Sequence, residues 1–184
     1  MMKRQNIVHL TQTALMTAIL IVLGMIPGIP LGFIPVPIVL QNMGVMMAGE
    51  ILGPKEGTTS VALLLLLVAV GFPFLTGGSG GIAVFAGPTG GYLLAWLFAP
   101  FLISSLRQHF GSHWNWWQEF LMIVLAGVLF IDVTGSLWLS WQSHIKLTAA
   151  LMSNLAFIPG DLIKAGVAVA VARQLRRVPV LNLG

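Results

Sequence analysis

The sequence predicts an all-α integral membrane protein of six transmembrane helices, a single membrane domain over residues 1–184 with both termini cytoplasmic. Two features of the composition lead there first. Charged residues make up 8% of the chain and hydrophobic ones 57%, whereas a soluble domain carries about 25% charged residues. Residues 5–49 and 57–106 contain no Asp, Glu, Lys or Arg, and one crossing needs only about 20 apolar residues. The third observation is the placement of the basic residues, which the positive-inside rule converts into an orientation.

Glycine and proline punctuation divides the chain into spans at approximately 9–26, 36–52, 57–74, 88–106, 118–140 and 147–172. The first follows Lys3 and Arg4, as a signal peptide would. No convincing small-residue cleavage site precedes Pro27, and further spans follow at once, so it is read as a retained helix. The second is short and interrupted by Gly44 and Gly49. Between the fourth and fifth lies RQHFGSHWNWWQE, whose Trp and His residues suit the headgroup layer. The sixth carries charge inside an apolar run.

Six spans put both ends on one side. The ends and even-numbered loops hold Lys3, Arg4, Lys55, Arg107, Arg173, Arg176 and Arg177, while the opposite loops hold Lys146 alone and Lys164 falls within a span. That asymmetry makes the ends cytoplasmic and turns loops 27–35, 75–87 and 141–146 outward.

Several function classes are excluded at this level. The formal charge of +4 is not gathered on a soluble domain, so no nucleic-acid partner is expected. The absence of cysteine removes disulfides, thiolate catalysis and Cys-ligated metals. No GxxxxGK[ST] string is present, so ATP hydrolysis by a phosphate-binding loop would have to come from another chain. His9, His109, His113 and His144 share no ligand spacing, and neither a metal nor a cofactor is expected.

The chemistry concentrates in LMSNLAFIPGDLIKAGVAVAVARQLRR. Asp161 and Lys164 lie three positions apart on one helix face. An ionisable side chain at membrane depth costs about 2.5–3.5 kcal/mol on insertion scales, so keeping two requires a reason. Either they neutralise each other as a structural pair, or they form a polar site facing the bundle interior. In an unbroken helix Asn154 would share their face, although Pro159 and Gly160 can introduce a kink. A carboxylate accepts from N–H donors, whereas an ammonium and a carboxamide donate to a carbonyl oxygen. A cyclic urea offers that set of partners.

The outward segment FPFLTGGSGGIAVFAGPTGGYLLAW carries seven glycines between Gly77 and Gly91, followed by Tyr92. It reads as a flexible or closely packed loop, or as backbone that approaches a ligand and accepts an anion. Gln41 can line a pocket or bond between helices. Asp132 reads as a neutral hydrogen-bonded acid, with a ligand role as the lesser alternative. Glu50 and Glu56, flanking the short cytoplasmic turn, read as solvated. Ala14 and Ala18 make a narrow stripe for close helix approach, by default within the same bundle. The GGSGG string around Ser79 raises an intramembrane serine protease, which would need a nearby histidine base such as His144.

With these residues in view, the chain resembles the BioY family, the biotin-specific S components of energy-coupling-factor transporters. The resemblance rests on VLQNMGVMMAGEILGPKEG at 39–57, GGSGGIAVFAGPTGGYL at 77–93, FIPGDLIKA at 157–165 and the alanine stripe. It implies a six-helix S-component bundle in the plasma membrane that captures biotin near its outer surface. The implied partners are a transmembrane coupling subunit, met by Ala14 and Ala18, and two ATPase subunits. Asp161 and Lys164 would hold the ureido ring, with Asn154 beside them. Tyr92, Phe85 and Trp138 are candidate apolar walls, and Gln41, Thr89, Gly90 and Gly91 complete the expected binding set. No arginine lies in an outward loop, so the ligand carboxylate is left to backbone N–H groups around 77–91, to Thr89 or to Lys146. Closure of the first outer loop, around Pro30 to Pro37, is implied as well. An S component for thiamine, riboflavin or another vitamin is the alternative, because the fold is shared across ligands.

Overall fold

A computed structural model describes residues 2–32, 35–110 and 114–177, with side chains described from Asn6 onward. His113, the side chains of Lys3 and Arg4, and residues 33–34 of the first outer loop lie outside the described residues. Helices α1 (Met2–Met25), α2 (Gln41–Leu52), α3 (Pro54–Val70), α4 (Ala83–Ala86) and α5 (Gly90–Phe110) make the first part of the bundle. Helix α6 (Trp116–Ile123) continues through a π-helical segment, Val124–Leu129, into α7 (Phe130–Ser143). Helices α8 (Leu147–Asn154) and α9 (Ile158–Arg176) complete it.

Local chemistry sets several of these ends. Pro54 occupies the start of α3, where its missing N–H is not needed, and Gly71 ends it in a left-handed conformation. At the start of α6, Asn115 and Gln118 form a reciprocal cap, each side chain accepting from the other's backbone N–H at 2.9 Å. The π segment places an extra residue in the turn where Gly127 faces Met46 and Ile103.

Among the described residues, three helical stretches are long and apolar enough to cross a membrane: Asn6–Met25, Gly90–Phe110 and Trp116–Ser143. Helices α8 and α9, bent by 52°, make a fourth if taken together. Helix α2 has 12 residues, or about 18 Å of rise, well short of the about 30 Å hydrocarbon core. The sequence run read as a span from residue 36 begins instead as extended chain, held by the Ile29–Ile38 backbone pair, and turns helical at Gln41. The pairing is local and proline-rich, with Pro35 and Pro37 keeping residues 35–39 out of the helix.

The two ends of the bundle differ in character. At one end Glu50, 1% exposed, meets Arg176 at 2.7 Å and Arg107 at 3.6 Å. Glu119, 4% exposed, meets Arg176 at 2.8 Å and Arg173 at 3.4 Å. The expectation that Glu50 is solvated is therefore wrong: guanidiniums from α5 and α9 enclose it, and those partners lie far from it in sequence. Glu56, by contrast, pairs with His9 at 3.1 Å in a more open setting. At the other end lies a cavity.

Candidate functional site

The cavity has a volume of about 350 Å³, within the usual range for small-molecule pockets, about 300–1,000 Å³. The extended chain at 35–39 and the glycine-rich loop between α3 and α5 form its rim. Leu75 and Ser79 pair across a tight turn in which Gly77 and Gly78 take φ of 76° and 70°, a region that side chains with Cβ rarely adopt. Gly81 N–H donates to Val68 O at 2.7 Å, fastening the loop to the end of α3. Glycine thus serves here to fold the rim, whatever the rim binds.

Asp161 and Lys164 lie together on the wall, 2% and 5% exposed. Lys164 Nζ stands 2.5 Å from Asp161 Oδ1 and donates to Val39 O at 2.9 Å, tying α9 to the extended rim. The acid and amine compensate each other's charge, which offsets the cost of burying either alone. Both also face the cavity. The two sequence readings are therefore compatible, because one pair can be structurally compensated and still open to a ligand.

Asn154 is buried but stands behind the wall. The chain breaks between α8 and α9, so Asn154 and Asp161 are not on one continuous helix face. The carboxamide is fully engaged: Nδ2 donates to Asp132 O and to Ser136 Oγ, both at 2.7 Å, and Oδ1 accepts from the Tyr92 hydroxyl at 2.8 Å. Tyr92 does line the cavity, with its ring edge-on to Phe157 at a centroid distance of 6.4 Å. Asn154 accordingly acts on the cavity through Tyr92.

Gln41 lines the cavity and is fully buried. Its Nε2 donates to Leu20 O at 3.1 Å and Phe74 O at 2.9 Å, which leaves Oε1 without a partner. Since both carbonyls can only accept, this amide orientation is fixed by its neighbours. Thr89 is on the wall, and its carbonyl accepts from the N–H groups of Tyr92 and Leu93. Gly90 and Gly91 are buried one step back, where a Cβ on Gly91 would collide with Trp138. Neither Phe85 nor Trp138 lines the cavity; Trp138 Nε1 instead donates to Gly87 O at 2.9 Å and so holds a lining residue in place. Lys146 is exposed at the start of α8, away from the lining.

The structure adds residues outside the expected binding set, among them Asp132, whose ligand role is the lesser alternative in the sequence reading. Asp132 lines the cavity, 6% exposed, with Oδ2 unpartnered. Trp96 Nε1 donates to Asn42 Oδ1 at 2.6 Å, and both residues are on the wall. A tryptophan in mid-span rather than at an interface was the available signal, since a buried indole N–H needs an acceptor. Thr76 and Ser79 supply hydroxyls to the rim, and Thr76 Oγ1 has no partner. No histidine lies among the described lining residues, so Ser79 has no base there. Ala14 and Ala18 are remote from the cavity and exposed on α1 beside Leu10, Leu15 and Val22, so the stripe is not covered within the bundle.

An apolar-walled cavity with one charged end, set at one end of a helical membrane bundle, defines a small-molecule-binding subunit of the membrane-transport class. Within it, the chain belongs to the BioY family, whose model matches residues 1–179. It is 54% identical over 179 residues to the "Biotin transporter BioY" of Lactococcus lactis subsp. cremoris, covering 96% of this chain and 95% of that protein. The namesake from Rhizobium etli is 43% identical, over 90% of this chain and 91% of its own length. Among solved structures, the S-component for biotin from an ECF-type ABC transporter, a crystal structure at 2.1 Å, matches with a TM-score of 0.93 at 54% identity. That match covers 96% of this chain and 95% of the crystallised one.

Proposed function

We propose that this protein captures biotin at the membrane and delivers it to an energy-coupling-factor transporter as the S component. The observation that carries the reading is the cavity itself: the Asp161–Lys164 pair opens on a wall otherwise built from Tyr92, Trp96, Phe157 and aliphatic side chains. Biotin has a ureido ring with two N–H donors and one carbonyl, an apolar thiolane and valeryl chain, and a carboxylate tail. Asp161 accepts a ureido N–H, Lys164 donates to the ureido oxygen, and the aromatic wall covers the thiolane. Gln41 and Thr89, which line the cavity, contact the ligand in this reading, while Asn154, Gly90 and Gly91 position Tyr92 and the rim.

The plasma membrane is the proposed location, with six crossings, cytoplasmic termini and the cavity outward. Support comes from Arg107, Arg173 and Arg176, which gather at the end of the bundle opposite the cavity, as the positive-inside rule requires of a cytoplasmic end. The exposed Ala14–Ala18 face of α1 meets a transmembrane coupling subunit, and two ATPase subunits supply the energy. Binding of radiolabelled biotin to the purified protein in detergent tests the reading. Saturable binding that unlabelled biotin displaces and thiamine does not is expected, whereas tight thiamine or riboflavin binding without biotin binding overturns it.

A further inference from the structure

Resting on the biotin reading above, we infer that Asp132 is a second specificity-determining acceptor of the cavity, taking the ureido N–H that Asp161 does not. The Asp161 carboxylate is already compensated by Lys164 at 2.5 Å. Asp132 has no such partner: among the described residues no cation lies within ion-pair distance, and Oδ2 makes no hydrogen bond although the residue is only 6% exposed. An unpaired carboxyl group in an apolar interior is costly and calls for a compensating donor.

The backbone holds this acid in place. Asn154 Nδ2 donates to the Asp132 carbonyl at 2.7 Å, and Asn154 Oδ1 accepts from Tyr92 at 2.8 Å. Phe157 N–H donates to Asn154 O at 2.8 Å, and Asp161 N–H donates to Phe157 O at 2.9 Å. This unbroken chain of bonds runs from Asp132 on α7 to Asp161 on α9, and both acids line one cavity. Around it the unpartnered polar atoms are Gln41 Oε1, Thr76 Oγ1 and Asp132 Oδ2, while the Asp161 carboxylate shares its Oδ1 with Lys164. The cavity therefore has more acceptor capacity than one N–H can fill, and a cyclic urea brings two. Of the two spare acceptors besides Asp161, Gln41 belongs to the rim side, bound to α1 and to Phe74, whereas Asp132 adjoins the charged end.

The experiment measures binding of biotin and of two cyclic carbamate analogues, each with one ureido N–H replaced by a ring oxygen, to wild type, Asp132→Asn and Asp161→Asn in detergent. Asp132→Asn is expected to weaken biotin by about tenfold or more, with little further effect on one carbamate. Asp161→Asn is expected to show the same insensitivity toward the other carbamate. Equal biotin affinity of wild type and Asp132→Asn overturns this inference alone, as does an equal loss for all three ligands. Should Asp132→Asn not fold, the wild type still decides: both carbamates binding weakly supports two acceptors, and one carbamate binding as well as biotin overturns the inference. A wild type that binds no biotin overturns the biotin reading, and this inference with it.

Discussion

Lys164 bridges two acceptors at once, Asp161 Oδ1 at 2.5 Å within its own helix and the Val39 carbonyl at 2.9 Å on the extended rim. The ammonium therefore joins the ligand wall to the segment that frames the cavity mouth. Removing it alone leaves Asp161 buried without a counter-charge, a change that costs about 3–5 kcal/mol for such pairs. Lys164→Met is expected to lower thermal stability in detergent and to abolish biotin binding. The double variant Asp161→Asn, Lys164→Met is expected to regain most of the stability and none of the binding. Recovery of both in the double variant would reduce the pair to a structural one.

Tyr92 and Asn154 make a second prediction. Tyr92→Phe leaves Asn154 Oδ1 without its donor in a buried site, at a cost of about 1–3 kcal/mol. Asn154→Ala removes three hydrogen bonds and releases α8 from α7, so it is expected to cost more stability than Tyr92→Phe. Thermal unfolding compares the two directly. Equal midpoints for Asn154→Ala and wild type would contradict the positioning role.

The bundle was legible in the sequence for a simple physical reason: charge-free runs longer than a bilayer crossing have few alternatives. The Asp161–Lys164 pair was legible too, because both partners lie within one helical turn. Legibility ends where geometry depends on partners far apart in the chain. Glu50 read as solvated because Arg107 and Arg176 approach it only after α2, α5 and α9 pack. Asn154 read as a neighbour of Asp161 on one face because the break at 155–157 lies upstream of Pro159, the residue that announces it. The glycine cluster was visible, but composition did not separate Gly77 and Gly78, which turn the rim, from Gly91, which admits Trp138.

That last distinction is testable. Gly91→Val places a branched side chain where Trp138 already sits, and the collision is with the rigid base of the indole. Overpacking of this kind costs about 1–3 kcal/mol or more. Trp138 Nε1 also holds Gly87 O, so the displacement is expected to reach the cavity rim and weaken biotin binding. Gly87→Ala, with no described atom closer than 3.5 Å to its new Cβ, serves as the mild control. Similar binding losses in the two variants would remove the case for Gly91 as a packing position.

The charged end of the bundle supplies the last prediction. Glu50→Gln removes the carboxylate shared by Arg107 and Arg176 while keeping its shape, so the partly buried Arg107 loses its counter-charge and Arg176 is left with Glu119 alone. The expected result is a loss of about 3–5 kcal/mol of stability, with biotin affinity at the cavity unchanged in the fraction that remains folded. Ala14→Leu with Ala18→Leu should behave in the opposite sense. These side chains point away from the bundle, so folding and biotin binding in detergent stay as in wild type. Biotin uptake by cells carrying the coupling and ATPase subunits falls, because two isobutyl groups hold the α1 face off its partner helix. Undiminished uptake by the double leucine variant would move the coupling surface elsewhere on the molecule, and a drop in detergent binding would show that the α1 face supports the cavity itself.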